Sequence, residues 1–307
     1  MKNYAESRGN ISKNDSGVGL RLGLRLYWKK YIVFLCFSLG KENRKMVNHI
    51  ESDYRKYVNY VKQICDSGSL TNFKNQKVYS DILEHVSYSQ GLEYLHCILE
   101  KTPFNVGDVI SFCLKNDSVG NPHTNAFDFG NGFGMVGVSP TSLRYVYQSH
   151  LILAHLQELD LEGETNIAEI GGGYGGLCVA LYHFSGYYGV KIDRYTIVDL
   201  SEVIRLQAMF HREVYAGLGA GLGHDIQYVD ASTHGKDISK DRMFCISNYC
   251  YSEISLENQH WYRYWLFPKV SHGFLCWNNI VKPSIPFKFR EEREKPNTGE
   301  HNKFIYF

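Results

Sequence analysis

The 307-residue sequence predicts an α/β protein: a parallel sheet flanked by helices and preceded by a helical N-terminal extension. Three observations carry this expectation. Beyond Asn166, short apolar runs alternate with stretches of helical spacing, the pattern of strands joined by right-handed crossovers. The first run, Asn166 to Ile170, passes straight into Gly171-Gly-Gly-Tyr-Gly-Gly176, where missing Cβ atoms permit a tight strand-to-helix turn. Before it, apolar residues recur three and four apart, the spacing of one helix face.

The elements follow in chain order. Residues 1–19 have the composition of a disordered lead, 20–140 read as a helical extension with a glycine-rich cap, and 141–307 as the sheet domain. Met46, Ile50, Tyr54, Tyr57, Val61 and Ile64 place a helix within Met46 to Cys65, and a second runs from about Ser80 to Glu100. Asp108 to Pro140 carries Gly120, Gly130, Gly132, Gly134 and Gly137 and reads as a long ordered loop or small cap. Ser139-Pro140-Thr141 starts a helix that continues to about Leu159, because Ser caps well and Pro is allowed in a first turn. Strands are expected at 166–170, at 195–198 ending on Asp199, at 226–229 ending on Asp230, at 243–246 and at 273–277. Between them lie helices from near Gly175, over Ser201 to Tyr215 and up to Trp265, with a flexible link at Gly217 to Gly223. The last thirty residues have room for two more strands, the final one Lys303 to Phe307.

Composition narrows the class of partner. With 33 basic and 32 acidic side chains there is no strong field, so nucleic acid is not expected. The 8 cysteines form no C-x-x-C pair and read as reduced thiols of a cytoplasmic protein. The apolar run Tyr31 to Leu39 is too short to span a bilayer, so no transmembrane segment is expected. Basic residues over 21–45 permit peripheral membrane contact, although a helix buried against the protein explains the run as well. The 23 tyrosines suit stacking on sugar rings and equally suit an aromatic core.

Ligands of an open parallel sheet sit beyond the carboxyl ends of its strands, which here are Glu169, Asp199, Asp230 and Ser247-Asn248. The glycine turn satisfies two templates. Gly171, Gly173 and Gly176 match the dinucleotide pattern G-x-G-x-x-G, while Glu169, Gly171, Gly173 and Gly175 match E-x-G-x-G-x-G, the first motif of class I methyltransferases. Glu169 suits the ammonium and sulfonium of S-adenosylmethionine and would repel a pyrophosphate; a turn that merely packs helix on strand is the plain alternative. Asp199 can accept a ribose diol or cap the next helix, and Asp230-Ala231 can meet an adenine amino group or form an ordinary loop. Glu253 and His260, just past the fourth strand, are candidate general bases; a helix cap and packing on Trp261 are their structural alternatives. Tyr249, Tyr251, His123 and Asp128 are candidate acceptor contacts, and Tyr174 can lie against the cofactor. No metal site is expected, since His211, His224 and His234 lack ligand spacing, and no G-x-S-x-G elbow marks a hydrolase.

Over roughly residues 110–307 the chain resembles the sugar O-methyltransferase family of class I methyltransferases. The matching pieces are Glu169-Ile-Gly-Gly-Gly-Tyr-Gly-Gly-Leu177, Tyr195-Thr-Ile-Val-Asp-Leu200, Ser247-Asn-Tyr-Cys-Tyr-Ser-Glu253, Gly273-Phe-Leu-Cys-Trp-Asn278 and Asn116 to Pro122, with the helix from Ser139. The Ser-Asn-Tyr-x-x-Ser-Glu segment is the specific one; residues 1–60 carry no match. The resemblance implies a Rossmann-like, mostly parallel sheet with its last strand antiparallel. It also implies S-adenosylmethionine held by Glu169, Gly171, Gly172, Gly173, Tyr174, Gly175, Asp199, Leu200, Asp230, Ala231, Ser247 and Asn248, a glycan or sugar-nucleotide acceptor, and a place in polysaccharide biosynthesis. It supplies no catalytic base, and a homo-oligomer is compatible with it. Two rivals stay open: an NAD-dependent oxidoreductase acting on a sugar nucleotide, and a non-catalytic scaffold of a glycan-assembly complex.

Overall fold

Strand β3 (Thr165–Ile170) is paired on both edges by parallel strands, β4 (Ile192–Asp199) and β6 (Met243–Asn248), and five of its six side chains are buried. That is why Ile167, Ala168 and Ile170 are apolar on both faces of the strand, since helices cover both faces of a parallel sheet, and why the buried Glu169 among them stands out. The computed structural model describes residues 41–307 except 131, 162, 217–224 and 280, with side chains described from Tyr54 onward. The readings placed on 1–19, on the apolar run at 31–39 and on the link at 217–223 lie outside the described residues. By its contacts the chain divides into Met1–Glu51 and Ser52–Phe307, and the sheet, its core and the cleft described below belong to the second unit.

The sheet has seven strands in the order β5-β4-β3-β6-β7-β9-β8, with β5 (Asp225–Asp230), β7 (Val270–Trp277), β8 (Arg290–Arg293) and β9 (Lys303–Tyr306). Strands β3 to β7 are parallel; β9 runs antiparallel to β7, as expected for the last strand. The chain winds outward from β3 to β5, then returns to the other side of β3 at β6. The order therefore reverses beside β3, and a crevice opens beyond the carboxyl ends there.

Nine described helices surround or extend this sheet: α1 (Lys41–Ser67), α2 (Lys77–Ser80), α3 (Tyr88–Lys101), α4 (Val106–Asp117), α5 (Pro140–Glu158), α6 (Gly176–Phe184), α7 (Ser201–Tyr215), α8 (Cys250–Glu253) and α9 (Leu256–Trp265). Helix α5 starts where the sequence places it, with the Ser139 Oγ accepting the Thr141 N–H at 3.1 Å and Pro140 in the first turn. Two expectations need correction. The helix expected from Ser80 is two pieces, because a capping box between Ser87 and Gln90 starts α3 at Tyr88. The stretch read as a long loop or small cap holds α4, capped by Asn105, and an antiparallel hairpin of β1 (Asn125–Asp128) and β2 (Met135–Val138).

One apolar core joins α1, α3, α4, α5, α6 and α7 to one face of the sheet, with Phe73, Tyr145, Tyr174, Phe184 and Phe210 among its rings. A smaller core fills the other face, where Tyr251, Tyr262, Leu266 and Phe267 meet Ala168, Ile170 and Leu275. No helix among the described residues is long and apolar enough to cross a membrane.

Candidate functional site

The crevice is a cleft of about 550 Å³. Its floor is the glycine turn between β3 and α6. Gly171 (φ +76°) and Gly175 (φ +93°) sit in the left-handed region that other L-residues rarely adopt. Space also requires them: a Cβ on Gly171 would come 2.4 Å from Cys250 Sγ, and one on Gly175 would come 2.3 Å from His211 Nε2.

Two carboxyl groups line the cleft beside this turn. Glu169 is 1% exposed and accepts the Tyr195 hydroxyl at 2.9 Å. Burial, and secondarily the Asp199 charge, push its pKa up to about 8 against that hydrogen bond. Asp199 is pushed up by burial to about 7, although the Leu200 and Gly172 N–H groups and the Gln207 amide all favour its charged form. These are desolvated acids that an incoming cation would stabilise as carboxylates.

The second wall comes from helices before the sheet. Tyr54 and Tyr57 of α1 line the cleft, and α1 is tied to the start of α7 by Arg205 Nη2 to Asp66 Oδ1 at 3.1 Å. Arg144, Tyr145 and Gln148 project from α5; Gln148 Oε1 accepts the Asn248 amide at 2.9 Å. At the end of β6, Tyr249 takes a positive φ of 66°, which turns Asn248, Tyr249 and Cys250 toward the cleft. Glu253 lies one turn on, its Oε1 accepting the Asn278 amide at 2.6 Å, and desolvation raises its pKa despite that bond. The rim is residues 298–302, moored through Glu294, which is 1% exposed. Its carboxylate accepts the Thr298 N–H at 2.7 Å, the Thr298 hydroxyl at 2.6 Å, the Asn302 amide at 3.0 Å and the Tyr249 hydroxyl.

Of the residues singled out from sequence, the structure brings Glu169, Gly171, Gly172, Gly173, Asp199, Asn248, Tyr249 and Glu253 together around this cleft. Others lie elsewhere. Tyr174 turns away into the core, where Asn116 donates to its hydroxyl at 2.9 Å and the Lys74 ammonium sits 4.0 Å from its ring centre. Tyr251 is 1% exposed and its hydroxyl donates to the Gln259 carbonyl, because a short helix places it opposite Tyr249 and Glu253. Ser247 is buried and donates to the Ile170 carbonyl at 2.8 Å, locking β6 to the turn. His260 is exposed and packs edge-on against Trp261, away from the cleft lining. Leu200 and Gly175 support the turn without lining the cleft, and Asp230 and Ala231 also stand outside its lining, Asp230 capping the Ser232 N–H at 2.7 Å. His123 and Asp128 are exposed on the hairpin segment, with Asp128 accepting the Gly130 N–H at 2.9 Å.

Sequence reasoning missed the brace under the turn. Gln207 donates to the Gly173 carbonyl and to Asp199 Oδ2, both at 2.9 Å, and His211 bonds the Gly175 carbonyl at 2.9 Å. Both stand on the buried face of α7 at i and i+4, and two polar residues on an otherwise apolar stripe were the available signal. Among the described residues no group of three or more His, Cys, Asp and Glu could hold a metal ion.

What the fold and the cleft define is a Rossmann-like sheet with a glycine-turn cradle lined by two desolvated acids. No family model and no curated protein matches the chain. Among solved structures, the methyltransferase domain of bacterial CtHen1 is 12% identical, with 52% of this chain and 96% of that chain covered at a TM-score of 0.39. Coclaurine N-methyltransferase bound to N-methylheliamine and S-adenosylhomocysteine is 11% identical, with 83% and 64% covered and a TM-score of 0.34. The rRNA methyltransferase aviRa from Streptomyces viridochromogenes is 9% identical, with 52% and 83% covered and a TM-score of 0.33. At these scores the likenesses bear on neither substrate nor chemistry, which rest on the chain's own residues.

Proposed function

We propose that the chain is an S-adenosylmethionine-dependent methyltransferase that methylates a sugar hydroxyl of a glycan or sugar nucleotide. The observation that carries the reading is the pair of desolvated acids, Glu169 and Asp199, beside a turn in which Gly171 and Gly175 have no room for a Cβ. A pyrophosphate gains nothing from two acids that burial keeps protonated and would oppose their ionisation, whereas an ammonium-bearing nucleoside stabilises their ionised forms. When bound, S-adenosylmethionine supplies an electrophilic methyl group. Glu169 would hold the cationic methionine end, and Asp199, braced by Gln207, would keep a free face for a ribose hydroxyl.

A sugar hydroxyl is a weak nucleophile at neutral pH and gains from a base within hydrogen-bond reach. Glu253 lines the cleft with its carboxyl oriented by Asn278, and its raised pKa makes it a better proton acceptor than an ordinary surface carboxylate. Tyr54, Gln148, Asn248 and the 298–302 rim surround the remaining space with hydroxyl and amide groups suited to a polyol. Their task is to align one hydroxyl and exclude water.

Equilibrium titration with S-adenosylhomocysteine and with NAD tests the cofactor assignment. The first is expected to bind and the second not, and Glu169→Ala and Asp199→Ala should each lose the homocysteine nucleoside while retaining the native circular dichroism spectrum. Binding of NAD in preference would overturn the reading. A panel of neutral and charged sugars with labelled methyl donor tests the acceptor.

A further inference from the structure

The wall of the cleft supplied by α5 carries a charge that the cofactor reading does not use. Arg144 lines the cleft yet is 7% exposed, and its Nε is buried with no acceptor. One of its terminal nitrogens reaches the Leu83 carbonyl at 3.3 Å, a long bond. Its other neighbour is Tyr145, which shares a side-chain hydrogen bond with it and whose ring centre lies 5.6 Å from the guanidinium carbon, so the donor left without a partner is Nε. Glu84 is the nearby acid that acts on it electrostatically, but Glu84 spends Oε2 on the Ser139 hydroxyl at 3.2 Å and leaves Oε1 buried without a donor. Glu84 therefore does not pair with the guanidinium.

Among the described residues lining the cleft, Arg144 is the only one with a fixed positive charge; the acids there are Glu169, Asp199, Glu253 and Glu300. Burial and the Arg144 charge both lower the pKa of neighbouring His85, so His85 adds no charge at neutral pH. A buried guanidinium with an unused donor is costly unless something completes it. The planar fork of five N–H groups is matched by an oxyanion. Gln148, one helical turn along α5, stands on the same face and carries the wall on to Asn248.

We propose that Arg144 recognises an anionic group, a carboxylate or a phosphate, on the acceptor. The proposal rests on the reading that this cleft receives a sugar acceptor, and it narrows that acceptor to an acidic or phosphorylated sugar. A neutral glycan would leave the guanidinium as it stands, desolvated and incomplete.

The test titrates the full chain, with and without S-adenosylhomocysteine, with glucose, glucuronate and glucose 1-phosphate. At least one charged sugar is expected to bind about tenfold or more tighter than glucose, as charge-assisted bidentate bonds allow. The ranking of glucuronate against glucose 1-phosphate separates the carboxylate source from the phosphate source. Arg144→Gln should erase the preference, while Arg144→Lys, which keeps the charge without the fork, should retain part of it. Circular dichroism and homocysteine-nucleoside affinity report whether each variant folds, and if Arg144→Gln does not, the drop in charged-sugar affinity of Arg144→Lys is the deciding measurement. Equal binding of all three sugars, or an unchanged preference in a folded Arg144→Gln, overturns the proposal. Failure of S-adenosylhomocysteine to bind would instead overturn the cofactor reading, because the titrations on the ligand-free protein still report on Arg144.

Discussion

Glu169 and Asp199 hold their protons far above the range of exposed carboxylates, and that has two consequences of opposite sign. In the ligand-free protein each acid keeps a proton that the unfolded chain releases near pH 4. The stability they contribute is present below that pH and lost as pH rises through about 7 for Asp199 and about 8 for Glu169. The melting temperature of the free protein should therefore fall between pH 5 and 8.5, and Glu169→Gln should flatten the slope. Ligand affinity should move the other way, because an ammonium prefers the ionised acids: titrations with S-adenosylhomocysteine at pH 6 and 8 should give tighter binding at pH 8. Under the proposed function Glu253 would act on the acceptor side. Replacing it with Gln keeps the size and an acceptor oxygen for Asn278 but removes the base, so kcat should drop by roughly 100-fold with the homocysteine-nucleoside affinity unchanged. A kcat within a factor of two of the parent would remove Glu253 from the chemistry.

Among the elements, the rim at 298–302 depends on one buried carboxylate. Glu294 gathers the Thr298 backbone and hydroxyl, the Asn302 amide and the Tyr249 hydroxyl, so it joins the rim to the strand end that faces the cleft. Tyr249 needs that anchor, since its positive φ is unfavourable for a side chain of its size. Glu294→Ala removes four hydrogen bonds and leaves the Thr298 N–H without its acceptor, although Asn302 and Tyr249 can still reach the Thr298 hydroxyl, and it should cost about 3 kcal/mol in chemical denaturation. It should also raise the acceptor KM more than it changes nucleoside affinity, because the rim stands away from the glycine turn's braces, Gln207 and His211. Equal losses at both ligands would mean that Glu294 supports the whole cleft.

At the scale of the whole molecule, the sheet was legible and half of the cleft was not, for one physical reason. Parallel strands buried on both faces appear as apolar runs ending in a polar residue, so Glu169, Asp199 and Asn248 announce both the strand ends and the floor of the crevice. Helical spacing reports only that a face is covered. Tyr54 and Tyr57 therefore read as ordinary core positions, and nothing in the pattern distinguishes a residue covering a cleft from one filling a core. Tyr174 and Tyr251 show the converse: adjacency to a motif does not bring a side chain to its ligand, because a turn and a short helix send neighbouring side chains to opposite faces. Both walls belong to the unit of residues 52–307, so a ligand between them should stabilise that unit as a whole. At a concentration of S-adenosylhomocysteine one hundred times its Kd, the gain is about 2.7 kcal/mol. For a domain of this size that is a rise in Tm of roughly 5–10 °C, read by calorimetry. The same concentration of NAD should leave Tm unchanged, and in Asp199→Ala the rise should vanish. Tyr57→Ala should reduce it, since α1 supplies the wall opposite Asp199; a full rise in that variant would show that the nucleoside needs only the sheet side of the cleft.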